Sequence, residues 1–212
     1  MKILIVSSGK AAMTWKKSCN SADFDETFRY VQDCDIESAE SCPVSTNGRP
    51  VYVSAGKSAM QTTEKLFTDA TVVVENLLDE VSQRSYKDTD KELPLWLWQL
   101  MARWQRFRGN DRQPETRAQI IARAENLICS LENKGENCIL ISHPIFIKVL
   151  LDRFNAHGYH ITRGGSFHIA PLERILITKR DMHCGGCGHN CLLSNPGCGV
   201  GRDAAMRHKT GK

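Results

Sequence analysis

Apolar positions along the chain follow two periods. Ile3-Leu4-Ile5-Val6 is a short aliphatic run that stops at Ser7-Ser8-Gly9 and reads as a buried parallel strand opening into a loop. Val51-Tyr52-Val53-Ser54, Thr71 to Val74, Cys138 to Ser142 and Arg174 to Thr178 read as further strands. Between them the spacing changes to three and four. A helix is predicted from Lys57 to Phe67, and another begins at Pro94, whose fixed φ suits a first helical position. In that second helix Leu97, Leu100, Met101, Trp104 and Phe107 make one apolar face. Thr116 is placed to cap a third helix with Ile120, Ala124, Leu127 and Leu131 as its buried stripe and Ile121 and Ile128 beside it. A fourth runs from Ile145 to Phe154. Alternating strands and helices predict an α/β fold with a largely parallel sheet, and such folds carry their sites beyond the carboxyl ends of the strands.

Residues 17 to 50 are polar and turn-rich, and read as a long surface excursion. The chain has 212 residues, 41% of them hydrophobic, which supplies a proper core and excludes a disordered chain or a disulfide-only scaffold. No apolar run approaches a membrane span, and the opening run is too short for a signal-peptide core. The expectation is a soluble, cytoplasmic protein without a membrane partner.

The net charge of +4 is confined to one end. Residues 179 to 212 hold six basic side chains and two acidic ones, while the preceding 178 are balanced at 22 against 22. Four of the nine cysteines, Cys184, Cys187, Cys191 and Cys198, also fall there. The expected organisation is a body over residues 1–178 and a small cysteine-rich appendage over 179–212.

Three strands end alike, at Ser7-Ser8-Gly9-Lys10, Ser54-Ala55-Gly56-Lys57-Ser58 and Ser142-His143-Pro144. Small residues let backbone amides approach a ligand, helix N-termini favour anions, and Lys10 and Lys57 add charge, so a phosphate or carboxylate site is expected.

In order and spacing these loops resemble the histidine phosphatase superfamily, the phosphoglycerate mutase-like proteins. The family's Arg-His-Gly falls on Ser7-Ser8-Gly9, and its Ser-x-x-x-Arg-x-x-Gln-Thr on Ser54 to Thr62 with Ser58 at the arginine. Its Leu-x-Glu falls on Leu78-Asp79-Glu80, its late Ser-His on Ser142-His143, and its Glu-Ser/Thr helix start on Glu115-Thr116. The resemblance covers residues 1 to 178 and implies a three-layer α/β/α body. It assigns Ser8 to the nucleophile, Ser7 and Ser58 to the two phosphate-clamping arginines, Glu80 to the acid that protonates the leaving group and His143 to the second histidine. Only Glu80 and His143 keep the family's residue types. The implied catalytic positions are therefore Ser8, Glu80 and His143, and the implied ligand-binding set is Ser7, Gly9, Lys10, Lys57, Ser58 and His143.

Losing two guanidinium clamps removes on the order of 3 kcal/mol or more of transition-state stabilisation each, and lysine does not reproduce the fork. The expectation is a catalytically impaired member of the family that binds a phosphorylated or anionic small molecule in a regulatory role, with a protein partner compatible with it. The alternative is an active phosphatase or phosphotransferase rearranged around Ser8 or His143.

In the tail, Cys184-x2-Cys187-x3-Cys191-x6-Cys198 is interleaved with glycines, and Leu192, Leu193 and Val200 are the only large apolar residues from 184 to 201. Metal cross-linking offsets the chain entropy that burial cannot. Four thiolates fit zinc, with a [4Fe–4S] cluster as the alternative; His183 or His189 can replace one ligand. Disulfides rank lower, because nothing points to an oxidising compartment. A tail without Phe, Tyr or Trp has no base-stacking platform, which disfavours nucleic acid. A second alternative function is metal or redox sensing, with the body as scaffold.

Overall fold

The short apolar runs form strands in a computed structural model, which describes residues 1–37, 43–163, 168–179 and 199–210. The chain divides into two units, Met1–Thr178 and Lys179–Lys212. In the first, Lys2–Ser7 (β1), Val51–Val53 (β3), Val72–Val74 (β4), Cys138–Ser142 (β6), Tyr159–Thr162 (β7) and Arg174–Lys179 (β8) make one sheet, and Ser18–Cys19 (β2) pairs with Leu93–Pro94 (β5) in a separate ribbon. The helices are Ser21–Asp33 (α1), Lys57–Leu66 (α2), Leu95–Arg108 (α3), Arg117–Lys134 (α4) and Pro144–Ala156 (α5). In the second unit Gly199–Thr210 (α6) is helical. Cys184, Cys187, Cys191 and Cys198, with His183 and His189, lie outside the described residues.

The large sheet runs β4-β3-β6-β1-β8-β7. β4, β3, β6 and β1 are mutually parallel, and β8 is antiparallel to β1. Alternation sorts the side chains onto two faces. Ile3, Ile5, Tyr52, Cys138, Leu140, Ile175 and Ile177 face one side, where they pack with Ile120, Leu127 and Leu131 of α4 and Phe146, Leu150 and Phe154 of α5. Val6, Val51, Val53, Ile139 and Ile141 face the other, against Ala59 and Leu66 of α2. This is the expected three-layer arrangement. β4 is an edge, and its three valines are exposed.

α4 begins and ends as its sequence dictates. Thr116 and Gln119 form a reciprocal capping box, and Gly135 closes the helix at φ 66°.

Three expectations are corrected. The polar excursion contains α1, started by Asn20, whose side chain accepts from the amide of Asp23 at 2.9 Å. The apolar face of α3 is not the predicted one. Leu100, Trp104 and Phe107 are exposed, whereas Trp98 and Ala102 are completely buried and Arg106 nearly so. The reason is the partner. Trp98 packs with Phe24 and Cys19, donates its indole N–H to the carbonyl of Cys19 at 2.9 Å, and has the ring of Tyr86 at 4.9 Å. The helix turns toward that cluster, leaving its more numerous apolar residues outside. Pro94 precedes α3 as its cap residue rather than opening it, because it pairs with Ser18 in the ribbon.

Candidate ligand site

β3, β6 and β1 are neighbours and point the same way, so their carboxyl ends meet. Register places Ser7 beside Ser142 and Val53 beside Ile141. Ser8, Ser54 and His143, the next residues on each strand, therefore converge.

The Oγ of Ser8 is 3.1 Å from Nδ1 of His143, and Nε2 of His143 is 3.2 Å from Oγ of Ser54. Ser54 Oγ donates to Oδ1 of Asp79 at 2.8 Å and accepts from the amide of Gly56 at 3.2 Å. A carboxylate only accepts, so the hydroxyl proton of Ser54 points at Asp79 and its oxygen takes the N–H of His143. That assigns the imidazole proton to Nε2 and leaves Nδ1 as the acceptor of the Ser8 hydroxyl. Burial holds the imidazole down at about 4 against a smaller upward push from Asp79, so it is neutral at neutral pH. Gly56 keeps the approach open: a Cβ there would sit 3.1 Å from His143 Nε2, tight enough that the ring would have to give.

Glu80 is pushed up to about 7 by burial, opposed by the amides of Val81 and Phe146 and by the charges of Arg123 and Arg106. Val81 N–H donates to its carboxylate at 2.8 Å. Phe146 lies in the first turn of α5, so Glu80 also caps that helix, where a carboxylate is favoured.

Ser8, Glu80 and His143 line a cavity of about 320 Å³, and Ser54, Gly56 and Asp79 line a smaller one of about 250 Å³ that Glu80 and His143 also border. Of the positions singled out by the sequence, Ser8, Gly9, Lys10, Ser58, Glu80 and His143 line the larger one. Ser7 does not: it is completely buried. Nor does Lys57, which pairs with Asp35 at 2.8 Å. Lys10 pairs with Glu37 at 2.7 Å. Trp15 both lines the cavity and packs on Phe28 at 5.6 Å.

The expected cradle of free amides at the strand ends is corrected as well. Ser7 N–H donates to Glu173 O, Ser8 N–H to Ser142 O, Gly9 N–H to Thr62 Oγ1 and Ser54 N–H to Ile141 O. The Ala55 amide goes to Asp79 Oδ1. What remains for a ligand is the first turn of α2, which has no side-chain cap, the hydroxyls of Ser8 and Ser58, and the side chains of Lys10 and Arg103.

Sequence reasoning missed Asp79, Ser54 and Arg103 as participants. Asp79 stood beside Glu80 in a recognised motif, and Ser54 in another, but their meeting at His143 depends on strand order. Arg103 is visible only once α3 is turned. Among the described residues, no group of three or more His, Cys, Asp or Glu side chains is arranged to hold a metal ion. No described helix is long and apolar enough to cross a membrane.

No curated protein sequence matches the chain. Among solved structures it is similar to a mutant phosphoserine phosphatase from Entamoeba histolytica in complex with phosphoserine, at 14% identity and TM-score 0.51, covering 90% of this chain and 94% of that one. Weaker likenesses are to phosphoserine phosphatase from the same organism with 3-phosphoglyceric acid (15% identity, 82% and 89% covered, TM-score 0.44) and to a mycobacterial glucosyl-3-phosphoglycerate phosphatase (12%, 82% and 88%, TM-score 0.41). Identities this low speak for the fold alone. The model of the histidine phosphatase superfamily, branch 1, matches residues 42–184, and the chain belongs to that family.

Proposed function

We propose that the chain binds a small phosphorylated or otherwise anionic molecule in the Ser8–Ser58–His143 cavity without running its family's phosphohistidine cycle. The observation that carries this reading is serine at positions 7, 8 and 58, where the resemblance puts the family's two clamping arginines and its nucleophilic histidine. Two lost clamps at about 3 kcal/mol each amount to roughly a 10⁴-fold loss in rate. The amides of Ser7, Ser8, Gly9, Ser54 and Ala55 are bonded internally and offer a developing oxyanion no donor. Binding is less demanding. The uncapped start of α2, the hydroxyls of Ser8 and Ser58, and Arg103 with Lys10 supply donors and charge for one anionic group. The phosphoserine complex of the E. histolytica neighbour supports a small phosphorylated metabolite as the ligand class.

The tail fits the same reading as a regulatory appendage, with Cys184, Cys187, Cys191 and Cys198 holding zinc or, alternatively, a [4Fe–4S] cluster. Four thiolates are a donor set suited to either, and the metal supplies folding energy to a segment with little to bury. A protein partner in the cytoplasm completes this proposal. Metal analysis with an absorption spectrum of anaerobically purified protein decides it. One zinc per colourless chain selects zinc, brown protein selects the cluster, and metal-free protein removes both.

The test of the pocket is calorimetric titration with phosphoserine and with inorganic phosphate, alongside hydrolysis of p-nitrophenyl phosphate. Expected are saturable binding, weakened at least tenfold by Ser58→Asp, and hydrolysis at background. Hydrolysis that disappears with Ser8→Ala or His143→Ala overturns the reading.

One observation favours a second reading, an active phosphotransferase: the hydrogen bond between Ser8 and a neutral His143 whose Nδ1 accepts. In that chemistry Ser8 Oγ attacks phosphorus as its proton passes to His143 Nδ1. The bond to the leaving oxygen breaks, and Glu80 returns a proton to it. Intact-mass measurement after exposure to substrate separates the two, because only this reading yields a phospho-adduct on Ser8.

A further inference from the structure

A further cavity, larger than the Ser8 cavity at about 430 Å³, lies among α3, α4 and α5. Its apolar wall is drawn from all three helices: Phe107 from α3, Ile120 and Ile121 from α4, Ile145 and Val149 from α5. It adjoins the Ser8 cavity, since Val81, Arg103 and Ile145 face both.

The charge around it is one-sided. Arg103, Arg106, Arg117, Lys148 and Arg153 border it against a single carboxylate, Asp152. Arg153 is engaged by Glu125 at 3.5 Å, and Arg117 lies over the ring of Phe107, its guanidinium carbon 5.2 Å from the centroid. Arg103 and Lys148 have no ion-pair partner among the described residues. Arg106 is 7% exposed; one of its terminal nitrogens donates to Ser82 O at 3.1 Å, and its Nε has no hydrogen-bond partner. Burial and the nearby charge of Arg103 both work against its protonated form. Of these cations only Arg106 is buried, while Arg103, Arg117 and Lys148 are exposed, so an apolar surface stands beside an excess of positive charge, a pairing that an anion with an apolar body complements.

We propose that this cavity binds an amphipathic organic anion, a carboxylate or phosphate carrying an alkyl or aryl body, with the apolar part against Ile121, Val149 and Phe107 and the anionic group among Arg103, Arg117 and Lys148. The volume is in the range of small-molecule sites. The proposal goes beyond the phosphate-site reading: Arg103 borders both cavities, but Arg117, Ile121, Lys148 and Val149 border only this one, and they are where the test is placed.

The test uses the full chain and three probes in calorimetry: decanoate, decyltrimethylammonium and inorganic phosphate. Decanoate is expected to bind one to one, and decyltrimethylammonium not to bind. Arg117 and Lys148 are both exposed, so the double variant Arg117→Glu/Lys148→Glu retains the fold, confirmed by an unchanged melting temperature. It is expected to weaken decanoate at least tenfold. Phosphate binding at the Ser8 cavity, measured in the same variant, reports on the other site separately. The proposal is overturned by absence of saturable decanoate binding, by equal affinity for the cationic probe, by an unchanged affinity in the double variant, or by one-for-one displacement of decanoate by phosphate.

Discussion

Nδ1 of His143 accepts the hydroxyl of Ser8 at 3.1 Å because the other ring nitrogen is tied, through Ser54, to Asp79. The tautomer is thus set by a carboxylate that does not touch the ring. Nitrogen-15 NMR of the imidazole at neutral pH is expected to show a single neutral form protonated at Nε2, and a titration midpoint near 4. In Asp79→Asn the replacing amide can donate to Ser54, the constraint is lifted, and both tautomers are expected. A midpoint near the ordinary histidine value would refute the burial argument.

His143 and Glu80 pull the pH dependence of stability in opposite directions. For His143, lowered from 6.5 to about 4, the unfolded chain binds more protons between those limits, so stability rises with pH across them. For Glu80, raised from 4.5 to about 7, the folded chain binds more protons, so stability falls as pH rises from about 4.5 to 7. Each slope approaches roughly 1.4 kcal/mol per pH unit, and between 4.5 and 6.5 they oppose each other. Urea unfolding across that window is expected to show little contribution from the pair in the parent protein. In Glu80→Gln the His143 slope should emerge, with stability climbing toward pH 6.5. A parallel offset between the two proteins, without a change of slope, would count against both assignments.

The tryptophans of α3 differ sharply. Trp98→Ala empties a completely buried site and breaks a hydrogen bond to Cys19 O, and is expected to cost about 3–5 kcal/mol. Trp104→Ala removes a ring that is half exposed and stacked only with Arg108 at 4.8 Å, and is expected to cost less than about 1 kcal/mol. Chemical denaturation of the two variants checks the orientation of the helix.

Ser58 offers a gain-of-function test. Its side chain borders the cavity beside the start of α2, and Ser58→Arg returns one guanidinium to a family arginine position. A charge-assisted bidentate contact there is expected to raise affinity for inorganic phosphate by about tenfold or more. Unchanged affinity would mean that the cavity is not where phosphate binds.

Most of the sheet was legible because its strands are short contiguous apolar runs, such as Ile3–Val6 and Cys138–Ile141, that need no knowledge of partners; Tyr159–Thr162, with two of its four residues polar, was not foreseen. The motifs at the strand ends were legible for the same reason, since each is contiguous. α1 escaped notice because nine of the thirteen residues from Ser21 to Asp33 are small or polar, leaving only Phe24, Phe28, Tyr30 and Val31, and its clearest signals are the Asn20 cap and the four-residue spacing of the phenylalanines. The face of α3 was misjudged because counting apolar residues favours Leu100, Trp104 and Phe107. One tryptophan held by Phe24 and Cys19 outweighs them. The link from Asp79 to His143 joins the turn after Leu78 to the end of β6, and no sequence spacing encodes that meeting.

The saturation of the strand-end amides has a consequence for how this site can change over evolutionary time. A cradle built of backbone is fixed by the fold and is inherited with it. Here, apart from the first turn of α2, the groups that line the cavity are side chains such as Ser8, Ser58, Lys10 and Arg103, each replaceable by one substitution without unpicking a strand. If the cavity binds as proposed, selectivity is carried largely by its most mutable parts, and relatives sharing its strands are free to diverge in what they hold.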